Sequence, residues 1–485
     1  MIKIVFRYII LLCVLFSTHI FAAEGMEPKG AVCVIDDGHR VVLIKELITG
    51  KYSLPGGLID KGETPQQAAE REAWEEAGLI VTAKDLLYKD DKAFFYRCKS
   101  ESDIVVFDLE TSNGFYRVPA WFAPHYGIET DAVYLTEPYK LGSEYYRYPY
   151  QLELLQQWII KPKTSYNKVA WVKNLVEQAP EIHQTELSIL SSLRSSIDGL
   201  PNVVNVSIKL IFTVINETGQ EAFFYFLFIF ALVYFDRRTA LALLFGIVIT
   251  IVFAGIAKQG LGLPRPFVYI PQLQLTPAYG FGMPSMNSML SVVMYGIFYL
   301  ALKRENLSSK VVKTWGIVFI CFVLAQATAR VWLGVHFITD AIVGIALGAM
   351  VVVHFSLMEK RHGNLIYNVI SSVYFWLIMS VLISGIAFVM LYMNYLYMAA
   401  VCWGVTLAIS LSDYQKITTV RNRLIVLISL IMAVVAARWM TEHLLNAVER
   451  SSESVLIIKA SANFTLIFLL VMAATYLPKW LNKIK

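Results

Sequence analysis

Charge is scarce in this 485-residue chain: Asp, Glu, Lys and Arg make up 16% of it, against 56% hydrophobic residues. Soluble globular proteins carry about a quarter charged residues, so this composition excludes an ordinary soluble globule, and the length exceeds one domain. Cysteine is thin as well. The five present (Cys13, Cys33, Cys98, Cys321, Cys402) form no CxxC pair and no zinc spacing. That excludes a disulfide framework and leaves a Cys33–Cys98 bond as an open pairing. Internal repeats and low-complexity tracts are absent. The net charge of +5 is modest and is not gathered into a basic patch, so no nucleic-acid partner is expected.

Against so apolar a background, polar groups inside it mark candidate sites. Arg330, His336 and Asp340 interrupt one such region, just before the run from Phe337 to Leu357, which is long enough to cross a bilayer. His336 and Asp340 are spaced i,i+4, so a helix starting here sets both on one face. A carboxylate there fixes the imidazole tautomer and leaves the other nitrogen as a nucleophile. Arg330 offers a planar fork suited to a phosphate. A His–Asp pair that only packs helices together is the plain alternative.

The chain opens on an export pattern, residues 1–23. Lys3 and Arg7 precede an apolar stretch, Tyr8 to Phe16, and Ala22-Ala23 gives a small-residue end. Ile20 or Phe21 would occupy the cleavage position that prefers a small side chain, so a cleaved signal and an uncleaved anchor both stand. Either sends the following residues across the membrane.

From about Gly30 to Ile160 the composition is that of a soluble domain. Ala31–Ile35 and Arg40–Ile44 are β-rich runs around an Asp-Asp-Gly turn. Thr64 with Gln67 reads as a capping box, Pro65 as the first helical residue and Gly78 as the helix stop. Within that helix Glu72, Glu75 and Glu76 share a face, and their repulsion is a cost that a hard divalent cation would remove. The stretch resembles the Nudix box, G-x5-E-x7-R-E-U-x-E-E-x-G-U, with Gly57, Glu63, Arg71, Glu72, Glu75, Glu76 and Gly78 in place. The resemblance implies an α/β/α sandwich that hydrolyses a phosphoanhydride with Mg2+ or Mn2+. It further implies Glu72, Glu75 and Glu76 as metal ligands or water-activating base, Gly57 as a carbonyl donor, and Arg71 paired with Glu63 across the loop. The box does not reveal the second moiety of the substrate.

Residues 161–220 read as a linker holding two amphipathic stretches, the second (Val203–Ile215) apolar enough to lie in or on a membrane surface. About nine apolar spans follow: Ala222–Phe235, Thr239–Ala257, Ser288–Leu302, Val311–Thr328, Phe337–Leu357, Val373–Met393, Tyr395–Leu411, Leu424–Ala437 and Val455–Tyr476. Basic residues recur at every second junction, as at Arg237-Arg238, Lys303-Arg304, Lys360-Arg361 and Arg421 with Arg423. The positive-inside rule makes that side cytoplasmic and places the Nudix-like domain and the polar triplet on the periplasmic side of a bacterial inner membrane.

On that same side Lys258 to Arg265-Pro266 follows one span and Pro284-Ser285-Met286-Asn287 opens the next. With Arg330, His336 and Asp340 they resemble the signature of the type 2 phosphatidic acid phosphatase superfamily, K-x6-R-P, P-S-G-H and S-R-x5-H-x3-D. The resemblance implies a helical, metal-independent membrane phosphatase. Lys258, Arg265 and Arg330 would bind the phosphoryl oxygens, Ser285 would add a hydroxyl, His336 would attack and Asp340 would orient it. Two positions depart from the pattern. Ala329 replaces Ser, and Met286-Asn287 replaces Gly-His, where the family's His protonates the leaving group; an amide cannot do so. A diphosphate, whose leaving group is already a stable anion, needs no such acid. The expected substrate is therefore a lipid diphosphate, such as polyprenyl (undecaprenyl) diphosphate, in preference to a phosphate monoester.

The expected layout is an α/β/α domain over residues 28–160, the linker, an all-α phosphatase-like core over 221–358, and additional transmembrane helices over 364–485. The leading function is a bifunctional hydrolase of phosphoanhydrides. The alternative is a membrane sensor whose lipid site binds without turnover, with Asn287 in the acid's place and only the Nudix half catalytic. Near one helix end Arg438, Glu442 and His443 read as a solvated end in preference to a head-group contact. Sequence sets no oligomeric state.

Overall fold

The computed structural model describes residues 28–160, 167–305, 307–412, 417, 419–448 and 451–483. The export pattern lies outside these residues. Two regions of different architecture follow one another: an α/β unit with mixed sheets, then an all-helical part.

In the first region, one sheet runs in the order β4 (Gly56–Leu58), β1 (Gly30–Val34), β6 (Ala93–Ser100), β5 (Val81–Lys89). The other runs β3 (Tyr52–Ser53), β2 (Val41–Glu46), β9 (Thr130–Thr136), β8 (Tyr116–Val118). β1 and β6 pair in parallel, and β2 pairs antiparallel with β9. Helix α1 (Pro65–Ala77) packs its small face, Ala69, Ala73 and Ala77, into one apolar layer beside Ala31 and Val42. Helix α2 (Gln151–Ile160) sets Leu152, Leu155 and Ile159 into the other layer, against Val34 and Leu43. The sheets thus lie between helices, as an α/β/α sandwich requires. A disulfide joins Cys33 to Cys98 across this unit, closing the pairing that sequence left open. The unit also runs past Ile160, the end that sequence assigned it: β10 (Val169–Val172) pairs in parallel with β7 (Ile104–Phe107), and the buried Asn167 amide donates to Asp36 and Cys98 carbonyls. A four-residue strand without alternation gives too little periodic signal to be read from sequence.

Helix α3 (Glu181–Asp198) and α4 (Asn202–Glu217) connect the two regions. On α4, Val203, Val206, Leu210 and Val214 form an exposed apolar face, the arrangement of a helix lying against a membrane. The helical part comprises α5 (Glu221–Tyr234), α6 (Arg237–Leu261), the short α7 (Pro266–Tyr269), α8 (Met286–Arg304), α9 (Ser309–Trp332), α10 (Ile338–His362), α11 (Asn364–Ile370), α12 (Val373–Met390), α13 (Met393–Leu411), α14 (Val420–Ala447) and α15 (Ser452–Lys483). Among the described residues eight helices are long and apolar enough to cross a membrane, and α5 is a shorter apolar helix. The chain is a multi-pass membrane protein.

Close packing between α8 and α10 rests on small residues. A Cβ on Gly344 would stand 2.5 Å from the Ser285 carbonyl oxygen, and one on Gly348 would stand 2.8 Å from that of Met289. Glycines four residues apart let two apolar helices approach at backbone distance where burial of apolar surface gives little drive. This contact sets the start of α8 beside the start of α10, the two ends that carry the polar signature.

Candidate active sites

Two polar centres are assembled. The first is built on α1. Thr64 accepts from the Gln67 backbone N–H, the Gln67 side chain accepts from Thr64, Pro65 opens the helix, and Gly78 closes it at φ 68°. These fixed ends set the register that turns Glu72 and Glu75 toward the loop 120–130. Arg71 holds the cluster together: its Nε donates to Glu63 at 2.9 Å, and its Nη1 donates to both Glu72 and Glu75 at 2.8 Å. The expected Arg71–Glu63 pair is therefore present, and the same guanidinium also reaches two of the expected metal ligands. Ligand atoms of Glu72, Glu75 and His125 all lie within 4.8 Å of one another.

His125 was invisible in sequence, because no spacing ties it to the helix. Its position comes from a backbone N–H that donates to the Glu75 carbonyl at 2.8 Å, and Glu129, 3.1 Å from its Nδ1, holds the imidazole above its ordinary pKa. Glu76, one turn after Glu72 and facing the same Gly56–Gly57 loop, accepts from the Gly56 N–H at 2.9 Å. Burial, followed by the charge of Glu72, pushes the Glu76 pKa well above the carboxylate range; burial also raises Glu72. A Cβ on Gly57 would meet the Glu72 carboxylate, so a larger residue there would displace that side chain.

The second centre lies where α6, α8, α9 and α10 meet. His336 and Asp340 are buried, with His336 Nδ1 3.2 Å from Asp340 Oδ2. The same carboxylate oxygen accepts from the Phe337 N–H at 2.9 Å, which locks its orientation. Arg265 Nη1 lies 3.0 Å from His336 Nε2 and also donates to the Val335 carbonyl. That arrangement suits a neutral imidazole with its proton on Nδ1 and a lone pair on Nε2. Burial first, then the charges of Arg265, Lys258 and Arg330, hold the His336 pKa well below its ordinary value, in the same sense. Lys258 Nζ donates to the Phe281 and Gly282 carbonyls at 2.7 Å, and Arg330 Nη1 donates to Asn216 Oδ1 at 2.8 Å. Arg330 Nε is buried with no hydrogen-bond partner among the described residues.

Lys258, Arg265, Asn287, Arg330 and His336 line one cavity of about 720 Å³. Ser285 does not. Its Oγ accepts from the Ser288 N–H and Oγ at the start of α8, in the role of a helix cap and not of an open phosphate donor. Two further residues missed in sequence support the centre from outside it. Asn216, at the end of α4, holds Arg330, and Glu186 on α3 accepts from the Ile338 N–H at 2.7 Å and the Thr339 N–H at 3.3 Å. Neither sits in a local pattern that would single it out. Arg438 and Glu442 also line the cavity, and both are exposed in the last third of α14, which continues to Ala447. His443 instead stacks on Trp439.

Residues 26–124 match the NUDIX domain and residues 239–364 match the PAP2 superfamily. A MutT-like protein of Streptomyces ambofaciens is 31% identical over 99 residues, 19% of this chain and 60% of that protein. An ADP-ribose pyrophosphatase of Methanocaldococcus jannaschii is 40% identical over 57 residues, 11% of this chain and 34% of that protein. This chain thus spans 60% and 34% of those relatives' lengths. Among solved structures, a transmembrane PAP2 type phosphatidylglycerolphosphate phosphatase from Bacillus subtilis aligns at TM-score 0.32 and 23% identity, over 39% of this chain and 93% of that one. A NUDIX hydrolase from Nitrosomonas europaea aligns at TM-score 0.22 and 20% identity, over 32% and 82%. One polypeptide here carries a NUDIX domain and, C-terminal to it, a PAP2 superfamily domain.

Proposed function

We propose that this protein is a two-headed membrane hydrolase of phosphoanhydrides, in which the PAP2 half removes the terminal phosphate of a lipid diphosphate. The observation that carries the reading is the convergence of Lys258, Arg265 and Arg330 on the His336–Asp340 pair at the end of an apolar-walled cavity. Three cations with fixed side chains match the charge of a phosphoryl group, and the buried imidazole offers an uncharged nucleophile. His336 Nε2 attacks the terminal phosphorus, the bridging P–O bond breaks, and its electron pair leaves on the lipid phosphate. Water then attacks the phospho-imidazole, releases inorganic phosphate and restores the histidine. Asp340 keeps the Nδ1 proton in place throughout. Asn287, standing where an acid is expected, favours a diphosphate substrate, whose leaving group needs no proton.

The NUDIX half hydrolyses a diphosphate attached to an unidentified moiety. Its donor set is rich in carboxylate oxygen, and Glu76 buried beside Glu72 creates the charge strain that a hard cation relieves, so the residues present fit Mg2+ or Mn2+. Glu72 and Glu75, with His125 beside them, would hold the ion, which supplies charge neutralisation and an acidified water. Arg71 keeps the two carboxylates in register.

Both centres lie on the extracytoplasmic side. Loop charge supports this, and so does the Cys33–Cys98 disulfide, since such bonds persist in oxidising compartments. The test is phosphate release by wild type, His336→Ala and Glu75→Gln on a long-chain polyprenyl diphosphate and on soluble nucleoside diphosphate derivatives. His336→Ala should abolish only the lipid reaction and Glu75→Gln only the soluble one. Lipid turnover that survives loss of His336 contradicts the reading.

A further inference from the structure

The PAP2 match ends at residue 364, yet the cavity that contains His336 does not end with it. One wall comes from α5 and α6, through Phe224, Phe228 and Ile247. A further part of the lining comes from helices C-terminal to the match: Met398 and Val401 on α13, and Leu466 and Ile467 on α15. Val401, Leu466 and Ile467 are buried in the same apolar cluster as Phe228 and Ile247, so the two sets form one lining. The hydroxyl of Tyr397, also in the lining and also on α13, is buried without a hydrogen-bond partner among the described residues. A buried hydroxyl without a partner costs free energy that a bound polar group would recover. The space is thus polar at the His336 end, apolar along its length, and supplied with an unused donor from a helix the PAP2 match does not cover. Its volume, about 720 Å³, is in the range of ligand pockets.

We infer that helices α13 and α15 complete the lipid site: the hydrocarbon chain of the substrate lies against Met398, Val401, Leu466 and Ile467, and Tyr397 donates to its polar head. This rests on the lipid-phosphatase reading of the PAP2 half. The C-terminal helices are then specificity elements, and chain length is what they measure. An anion without a chain would reach His336 but leave this wall empty.

Two measurements on the full chain in lipid nanodiscs test it. The first takes His336→Ala as a trap and adds a long-chain prenyl diphosphate with a diazirine on its tail. After irradiation, peptide mass spectrometry should place adducts within Met393–Leu411 and Ser452–Lys483. Adducts confined to α8, α9 and α10 would overturn the inference. The second compares phosphate release from long-chain and short-chain prenyl diphosphates by wild type, Val401→Trp and Ile467→Trp. Filling the wall should lower the long-to-short ratio of kcat/KM about tenfold, as is usual when a few methylenes lose their pocket; an unchanged ratio would overturn it. The two readings fail separately: tail adducts on α13 and α15 without phosphate release by wild type would leave the chamber standing and remove the phosphatase.

Discussion

Asp340 illustrates how much one atom can be asked to do. Its Oδ2 faces both His336 Nδ1 and the Phe337 N–H, so the carboxylate is fixed before it fixes the imidazole. Asp340→Asn keeps the shape but permits the wrong tautomer, and kcat on a lipid diphosphate should fall by about 10²–10⁴ in a steady-state phosphate assay. At Asn287 the opposite gain is expected: Asn287→His should raise turnover of a lipid phosphate monoester more than that of the diphosphate. Equal effects would remove the case for a diphosphate substrate. In the α/β unit, Glu72 and Glu76 have pKa values raised by burial. A carboxyl whose folded pKa lies above its unfolded value near 4.3 contributes stability at low pH that is lost as pH rises through the folded value. Without a divalent cation the protein should therefore lose stability upward from about pH 4 through this window. Mg2+, which binds the deprotonated carboxylates, should raise the melting temperature more at pH 8 than at pH 5. Thermal shift measurements at the two pH values, with and without Mg2+, check both signs.

At the scale of elements, the sites depend on helix starts. The N-terminus of α10 has its first amide taken by Asp340 and the next two by Glu186 of α3. His183, one turn earlier on α3, stacks on Phe337 at 3.9 Å. A connecting helix thus clamps the segment that presents the nucleophile. Glu186→Ala removes a cap, a loss of about 0.5–2 kcal/mol at the helix end. It should slow lipid phosphate release while leaving the soluble diphosphate reaction near wild type, which parallel assays of one preparation would show. The helix starts were also the most legible features of the sequence. Thr64, Pro65, Gln67 and Gly78 named the ends of α1, and the i,i+4 spacing of His336 and Asp340 announced their pairing; both occur in the structure. Glu186, Asn216 and His125 were not legible, because each acts across more than forty residues of chain and leaves no local period. A span with charge inside its helix reads short from sequence, as Leu424–Ala437 does against α14. Apolar runs stop where charge begins, whereas α14 continues through Glu442 and through Arg438, which pairs with Glu221 at 2.8 Å.

Across the whole molecule, the two domains meet close to both centres. Gly127, two residues from His125, has φ 75°, and a Cβ there would stand 2.8 Å from Gly280 Cα. Tyr126 packs edge-on against Phe281 at 5.5 Å. The carbonyls of residues 279–282 in turn receive the side chains of Arg265 and Lys258. Gly127→Val, a change in the NUDIX unit, should therefore disturb the lipid reaction, with KM for the lipid diphosphate rising while short-chain and long-chain substrates are affected alike. Chain-length dependence belongs to α13 and α15, so the two perturbations are separable. The central chemical claim is a phosphoryl group carried on His336. Rapid quenching of the full-length protein with a lipid diphosphate labelled in its terminal phosphate should trap an acid-labile, base-stable label on His336 during turnover, absent from His336→Ala. Turnover in wild type with no protein-bound label on the millisecond scale, or label on any other residue, would contradict it.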